Sequence, residues 1–142
     1  MLEESASFSM TAIDTVLGFD FGLKRIGVAV GNTLVRQAQP LTVITATAND
    51  IKFAEIQKMI DAWRPVRLIV GVPFHPDGAE HAMTLRCRRF ANQLTGRCNL
   101  PVVQVDERYS SAVIKAKRFE VIDALAASII LQQYFDDHAQ QN

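Results

Sequence analysis

The sequence predicts an α/β domain in which one mixed five-stranded sheet carries helices on both faces. Three observations point there. Short Val/Ile/Phe-rich runs alternate with segments of helical period, three of those runs precede the first helical segment, and 142 residues suit a single domain with a proper core.

The first two runs, 16–21 and 26–32, are separated by Gly-Leu-Lys-Arg and read as a β-hairpin. A third extended stretch, Pro40–Ile44, follows a polar link. Asn49 or Asp50 is then expected to cap an amphipathic helix with Phe53, Ile56, Ile60 and Trp63 on its inner stripe. Arg67–Val72 is a short apolar run closed by Pro73, the pattern of a buried strand whose end carries a loop, here PFHPDG. Asp77 with Glu80 three residues on has the capping-box pattern. Behind it, Met83, Cys87, Phe90 and Leu94 mark the stripe of a second helix, with Arg86, Arg88 and Arg89 on the outer side. Pro101–Val105 reads as the fifth strand, ending at Asp106 and Glu107, and Ser110 or Ser111 caps further helical sequence. The last stretch, Val121–Phe135, is a helix apolar on nearly every side.

The order is therefore β-β-β-α-β-α-β-α. Three strands pair as an antiparallel meander, and αβ crossovers then add two more in parallel. The ribonuclease H-like fold has that succession. The domain is expected to run over 15–138, between a disordered N-terminal tail at 1–14 and a short C-terminal tail at 139–142.

Composition narrows the function classes. Fifteen basic and fifteen acidic residues cancel, so any attraction for nucleic acid has to come from a local basic face. Cys87 and Cys98 are the only cysteines, which indicates neither a disulfide framework nor a zinc site. The opening MLEESASFSMTAID has acidic and hydroxyl residues where a signal peptide needs a basic end. No apolar run reaches the roughly 20 residues of a membrane span. A cytoplasmic protein with no membrane partner is expected.

Two carboxylates stand where water is hard to reach. Asp20 lies near the end of the first strand, on the face of Val16 and Gly18, unless it only feeds the turn at Gly22. Asp123 sits inside VIDALAASIIL, with Ala126 and Ala127 letting the helix press close to the sheet; its alternatives are an ion pair with the sheet or a shared metal. Strand alternation sends Asp106 and Glu107 to opposite faces, so one of them can face Asp20. Three such carboxylates repel one another and cohere around cations, and oxygen-only ligation suits Mg²⁺ or Mn²⁺. His75, His81 and His138 are scattered and read as surface residues.

The segments FDFGLKRIGVAVGN, VGVPFHPDG, VDERYSS and VIDALAASIILQQYF, in that order, resemble the YqgF family, also called RuvX. Its members are similar to Holliday junction resolvases and are regarded as nucleases of pre-16S ribosomal RNA. The resemblance implies an RNase H-like nuclease in which Asp20, an acid of Asp106-Glu107-Arg108, and Asp123 are catalytic and bind divalent metal. Between the two neighbouring acids the choice falls on Glu107. Resolvases of this fold usually take an acid from the end of the fourth strand, but here that place reads Val72-Pro73, and the nearest carboxylate, Asp77, looks like a helix cap.

Phosphate contacts around such a site are expected from Lys24, Arg25, Arg86, Arg89, Arg108, Lys115, Lys117 and Arg118. Expected partners are pre-16S rRNA or branched DNA and ribosomal particles, with the protein a monomer or homodimer. The alternative is a ribosome- or nucleic-acid-binding module with this fold and little nuclease activity. One departure stands out: relatives carry a longer basic segment before the last helix, whereas eleven residues separate Ser111 from Asp123 here. An unbroken helix from Ser110 would set Asp123 roughly 20 Å from its cap, too far to share a cation with Glu107. Either the chain doubles back around Lys117–Phe119, or a mobile basic loop is missing from the numbered chain, and the expectation favours the missing loop.

Overall fold

The computed structural model describes residues 14–45, 47–107 and 123–138. Strands β1 (Thr15–Phe21), β2 (Ile26–Asn32) and β3 (Gln39–Ile44) form the meander. Helix α1 (Asn49–Trp63), β4 (Arg67–Pro73), α2 (Thr84–Cys98), β5 (Val102–Glu107) and α3 (Asp123–His138) follow. Sheet order is β3-β2-β1-β4-β5, with β1 antiparallel to β2 and parallel to β4, and β4 parallel to β5. A register shift at Val28/Ala29 interrupts the β2–β3 ladder. The expected mixed sheet and element order are therefore observed.

Strand alternation divides the core. Leu17, Phe19, Ile26, Val28, Leu68 and Val70 meet Phe53, Ile56 and Ile60 of α1 and Phe90, Ala91 and Leu94 of α2. Val16, Ala29, Ile69 and Val105 face the other way, against Ala127, Ile130, Leu131 and Phe135 of α3. The central strands β1 and β4 are thus covered on both sides, which explains their near-continuous apolar sequence.

Helix α3 lies unusually close to the sheet because the strands beneath it lack side chains at key points. A Cβ at Gly18 would stand 2.9 Å from Leu131 Cβ and 3.4 Å from the Ala127 carbonyl oxygen. A Cβ at Gly31 would stand 2.6 Å from the Phe135 ring. Polar contacts then set the helix's position along the sheet. Gln132 accepts from the Ala38 amide at 2.9 Å and donates to the Arg36 carbonyl at 3.0 Å, while Arg67 donates to the Tyr134 hydroxyl at 2.8 Å.

The helix starts differ from the sequence expectations. Ala48 occupies the N-cap of α1 and supplies no side-chain bond, while Asp50 Oδ1 accepts from Ile51 N inside the first turn. Asp77 and Glu80 do not cap α2. Asp77 closes a turn by accepting from Ala79 N, Glu80 pairs with Arg88 at 2.9 Å, and the helix begins at Thr84, whose hydroxyl donates to the Pro73 carbonyl. Packing decides these starts: the buried Thr84 ties α2 to the end of β4, and the polar residues before it form the connecting loop. Trp63, expected on the α1 stripe, is 43% exposed at the helix end, beyond the reach of the sheet. The expected cap at Ser110 or Ser111, and the break or missing loop before Asp123, lie outside the described residues.

Two glycine substitutions should move stability in opposite directions. Gly18→Ala must push α3 off β1 and is expected to cost about 1–3 kcal/mol of unfolding free energy. Gly96→Ala, in α2 with open space at its Cβ position, should add up to about 1 kcal/mol by raising helix propensity. Urea denaturation of the two variants checks both signs.

Candidate functional site

Asp20 occupies the last turn of side-chain alternation on β1 that points towards α3, and it is 8% exposed. Across β1 and β4, Phe19 pairs with Val70, so Gly71 stands next to Asp20 on the neighbouring strand. On the far side of β4, Gly71 pairs with Val105 and Pro73 with Glu107. Glu107 shares the α3 face with Val105 and is 2% exposed. Its side chain leans back along the sheet: a Cβ at Gly71 would lie 2.9 Å from Glu107 Oε2 and 2.6 Å from Ile130 Cδ1. Two carboxylates from β1 and β5 therefore flank a position on β4 that has no side chain. Neighbouring strands are about 4.8 Å apart, which keeps both acids in one neighbourhood.

The backbone brings α3 to the same end. Its residues run opposite to β1, with Phe135 over Gly31, and Leu131 and Ala127 over Gly18. Asp123, the first residue of α3, precedes Ala127 by one turn, about 6 Å. Asp20 follows Gly18 by two strand residues, about 6.6 Å. The start of α3 therefore lies towards the same end of the sheet as Asp20, and the side chain of residue 123 lies outside the described part of the structure. Among the described residues no group of three His, Cys, Asp or Glu side chains is assembled; Asp20 and Glu107 are the described pair.

Asp106 points to the other face and is exposed, with its carbonyl accepting from Gln133 Nε2 of α3 at 3.0 Å. The loop after β4 rims the site, since the Phe74 amide donates to the Glu107 carbonyl at 2.9 Å. Asp77 stays in its own turn of that loop. His81 accepts from Met83 N at 3.1 Å, and His138 lies near the opposite end of the sheet, bonded to the Tyr134 carbonyl. Neither cysteine approaches a ligand set. Cys87 is buried in the core, and burial pushes the Cys98 thiol up from its ordinary pKa against the opposing pull of Arg97.

Of the expected phosphate contacts, Lys24 is exposed and Arg25 half-buried on the turn directly after Asp20. Arg86 and Arg89 are exposed on α2. Arg108, Lys115, Lys117 and Arg118 lie outside the described residues. Sequence reasoning passed over Lys52, which is 7% exposed. Its signal was spacing: stepping back one turn from Ile56 and two from Ile60 lands on Lys52. Gly71 was also passed over, because nothing in a strand's own sequence shows which side chain will lie across it.

A cavity of about 420 Å³ lined by Arg36, Arg67, Tyr134 and His138 opens at the other end of the sheet, away from both carboxylates. It lies apart from the acidic site.

The chain has relatives among known bacterial proteins. It is 55% identical over 128 residues to a protein of Paraburkholderia phytofirmans named "Putative pre-16S rRNA nuclease", covering 86% of this chain and 88% of that one. A Burkholderia mallei protein of the same name is 48% identical over 147 residues, covering 97% and 99%. That alignment is longer than this chain, so the relative carries residues with no counterpart here. Among solved structures, Thermus thermophilus RuvC in complex with Holliday junction substrate superposes with a TM-score of 0.55 at 16% identity, covering 89% of this chain and 96% of that one. This likeness bears on the fold, which is RNase H-like. A family model described as "RuvX: Holliday junction resolvase" matches residues 14–137, and with it the strand ends that carry Asp20 and Glu107 and the start of α3: the chain belongs to the RuvX family.

Proposed function

We propose that this protein is a metal-dependent endonuclease that hydrolyses phosphodiester bonds of pre-16S rRNA during ribosome maturation in the cytoplasm. The observation that carries the reading is the placement of Asp20 and Glu107, both buried, on one face of the sheet around the bare Gly71. Two carboxylates held close on one face repel each other, and a divalent cation between them would offset that repulsion.

The residues fit a hard divalent ion. Carboxylate oxygens suit Mg²⁺ or Mn²⁺, and with no side chain at Gly71 the Glu107 carboxylate can lie across β4. Asp20, Glu107 and Asp123 would hold the ion. Such a cation activates water and neutralises charge that builds on a phosphoryl group in its transition state. The chain's own parts have the remaining tasks. Ile130 and the surrounding core hold the Glu107 carboxylate against β4 in an apolar setting that limits its rotamers. Lys24 and Arg25, in the turn between β1 and β2, would meet the backbone phosphates beside the cleaved bond, with Arg86 and Arg89 reaching phosphates farther along. Net charge near zero leaves recognition to these local groups.

The test is cleavage of a precursor 16S rRNA fragment with and without Mn²⁺. Wild-type protein is expected to cut only with metal, and Asp20→Asn should reduce the rate on the order of a hundredfold or more while remaining folded. Mn²⁺ should also raise the melting temperature of the wild type and leave that of Asp20→Asn unmoved. Undiminished cutting by Asp20→Asn would overturn the assignment.

Gly71→Ala offers a second check. The new methyl meets both the Glu107 carboxylate and Ile130, so activity and stability should both fall, the latter by about 1–3 kcal/mol. Adding Ile130→Val removes the Cδ1 atom in the way. Stability should then recover in part while cleavage stays low, because the conflict with Glu107 persists.

A further inference from the structure

The other face of the same sheet end carries a cationic cavity. Phe21 follows Asp20 in β1 and points the opposite way, towards α1 and α2, where it stacks on Phe90 with centroids 4.8 Å apart. Beside it, between the starts of α1 and α2, lies a cavity of about 170 Å³ lined by Phe21, Asn49, Lys52, Arg86, Arg89 and Gln93, among others.

Lys52 is the unusual member. It is 7% exposed, and its Nζ lies 5.3 Å from the centroid of the Phe21 ring. Among the described residues, its ammonium makes no hydrogen bond or ion pair, and neither Arg86 nor Arg89 forms an ion pair. A cation–π contact returns on the order of 0.5–2 kcal/mol. The buried stem and the ring hold the ammonium at the cavity, where its tip still meets solvent and an anion can reach it. No acidic residue lines the cavity. Asp50, the nearest in sequence, is exposed and turned to the Ile51 amide. α1 also starts without a side-chain cap, so the positive end of its dipole adds to the field at Asn49.

Size limits the ligand. Ordinary small-molecule sites measure roughly 300–1,000 Å³, well above this cavity, which has room for one tetrahedral anion and not for a nucleotide. Three cations, two side-chain amides and an apolar floor suit one phosphate group. We propose that the Lys52–Arg86–Arg89 cavity binds a single backbone phosphate of the RNA strand, gripping it on the face of the sheet opposite the carboxylates. The strand then crosses the end of β1 from Lys52 to Asp20. This rests on the RNA substrate proposed above; it adds Lys52 to the arginines of that reading and gathers all three on one phosphate.

The test uses the full chain in metal-free buffer, where no cleavage occurs. Lys52→Met keeps the aliphatic stem on Phe21 and removes the charge; Arg89→Gln alters an exposed residue and covers the case in which the first variant does not fold. Binding of a labelled single-stranded RNA oligonucleotide is measured across a salt series. Each variant should bind several-fold more weakly, and the slope of log K against log[salt] should become shallower by about 0.7. Inorganic phosphate should raise the melting temperature of the wild type and not that of Lys52→Met. RNA affinity and salt slope unchanged in both variants would overturn the proposal. Loss of phosphate stabilisation with RNA binding intact would overturn it too, since the cavity would then serve a free oxyanion. Weakened RNA binding alongside a wild type that never cleaves would uphold this site and count against the nuclease reading alone.

Discussion

The close approach of α3 to the sheet is the constraint on which the rest of this structure depends. Gly18 and Gly31 remove the side chains that would hold the helix away, and Ala127 and Leu131 lie directly over the gap. Gln132 and Tyr134 then fix the helix along its axis through the β2–β3 link and the start of β4. With distance and axial position both set, the start of α3 is directed to the end of the sheet where β1 finishes. A helix even one residue out of step would carry position 123 to a different side of its axis.

The same end of the sheet separates charge by face. Asp20 and Glu107 project towards α3, whereas Lys52, Arg86 and Arg89 gather on the α1–α2 side around Phe21. Adjacent residues of one strand, Asp20 and Phe21, thereby belong to two chemical environments. A chain whose net charge is zero in this way presents an acidic and a basic surface a strand's thickness apart. Acid and base are kept from neutralising each other by the sheet itself.

Local signals misled at the helix starts and succeeded in the strands, for a common reason. A buried strand is defined by what it excludes, and runs such as Leu68–Val72 have no alternative to the core. Caps are exposed and cost only about 1 kcal/mol to change, so packing overrides them. Asp77 and Glu80 have the letters of a capping box, yet the bond from Thr84 to Pro73 starts α2 seven residues after Asp77. Lys52 was hidden in the opposite way: as a lysine it reads as surface, although its spacing from Ile56 and Ile60 places it inside.

The order of elements and the two-faced core were determined by the sequence itself, because alternation and helical period are properties of consecutive residues, and the family was legible in its motifs. Preference for Glu107 over Asp106 was also legible, through the family resemblance, and the strand's alternation agrees with it: Glu107 shares a face with Asp20 while Asp106 is exposed. What only the tertiary structure decided is adjacency across strands. That the Glu107 carboxylate lies over Gly71, next to Asp20, and that Lys52 meets Phe21, Arg86 and Arg89, depends on register and helix placement among residues far apart in the chain. Such contacts follow from the packing of whole elements, whose relative positions no local pattern encodes.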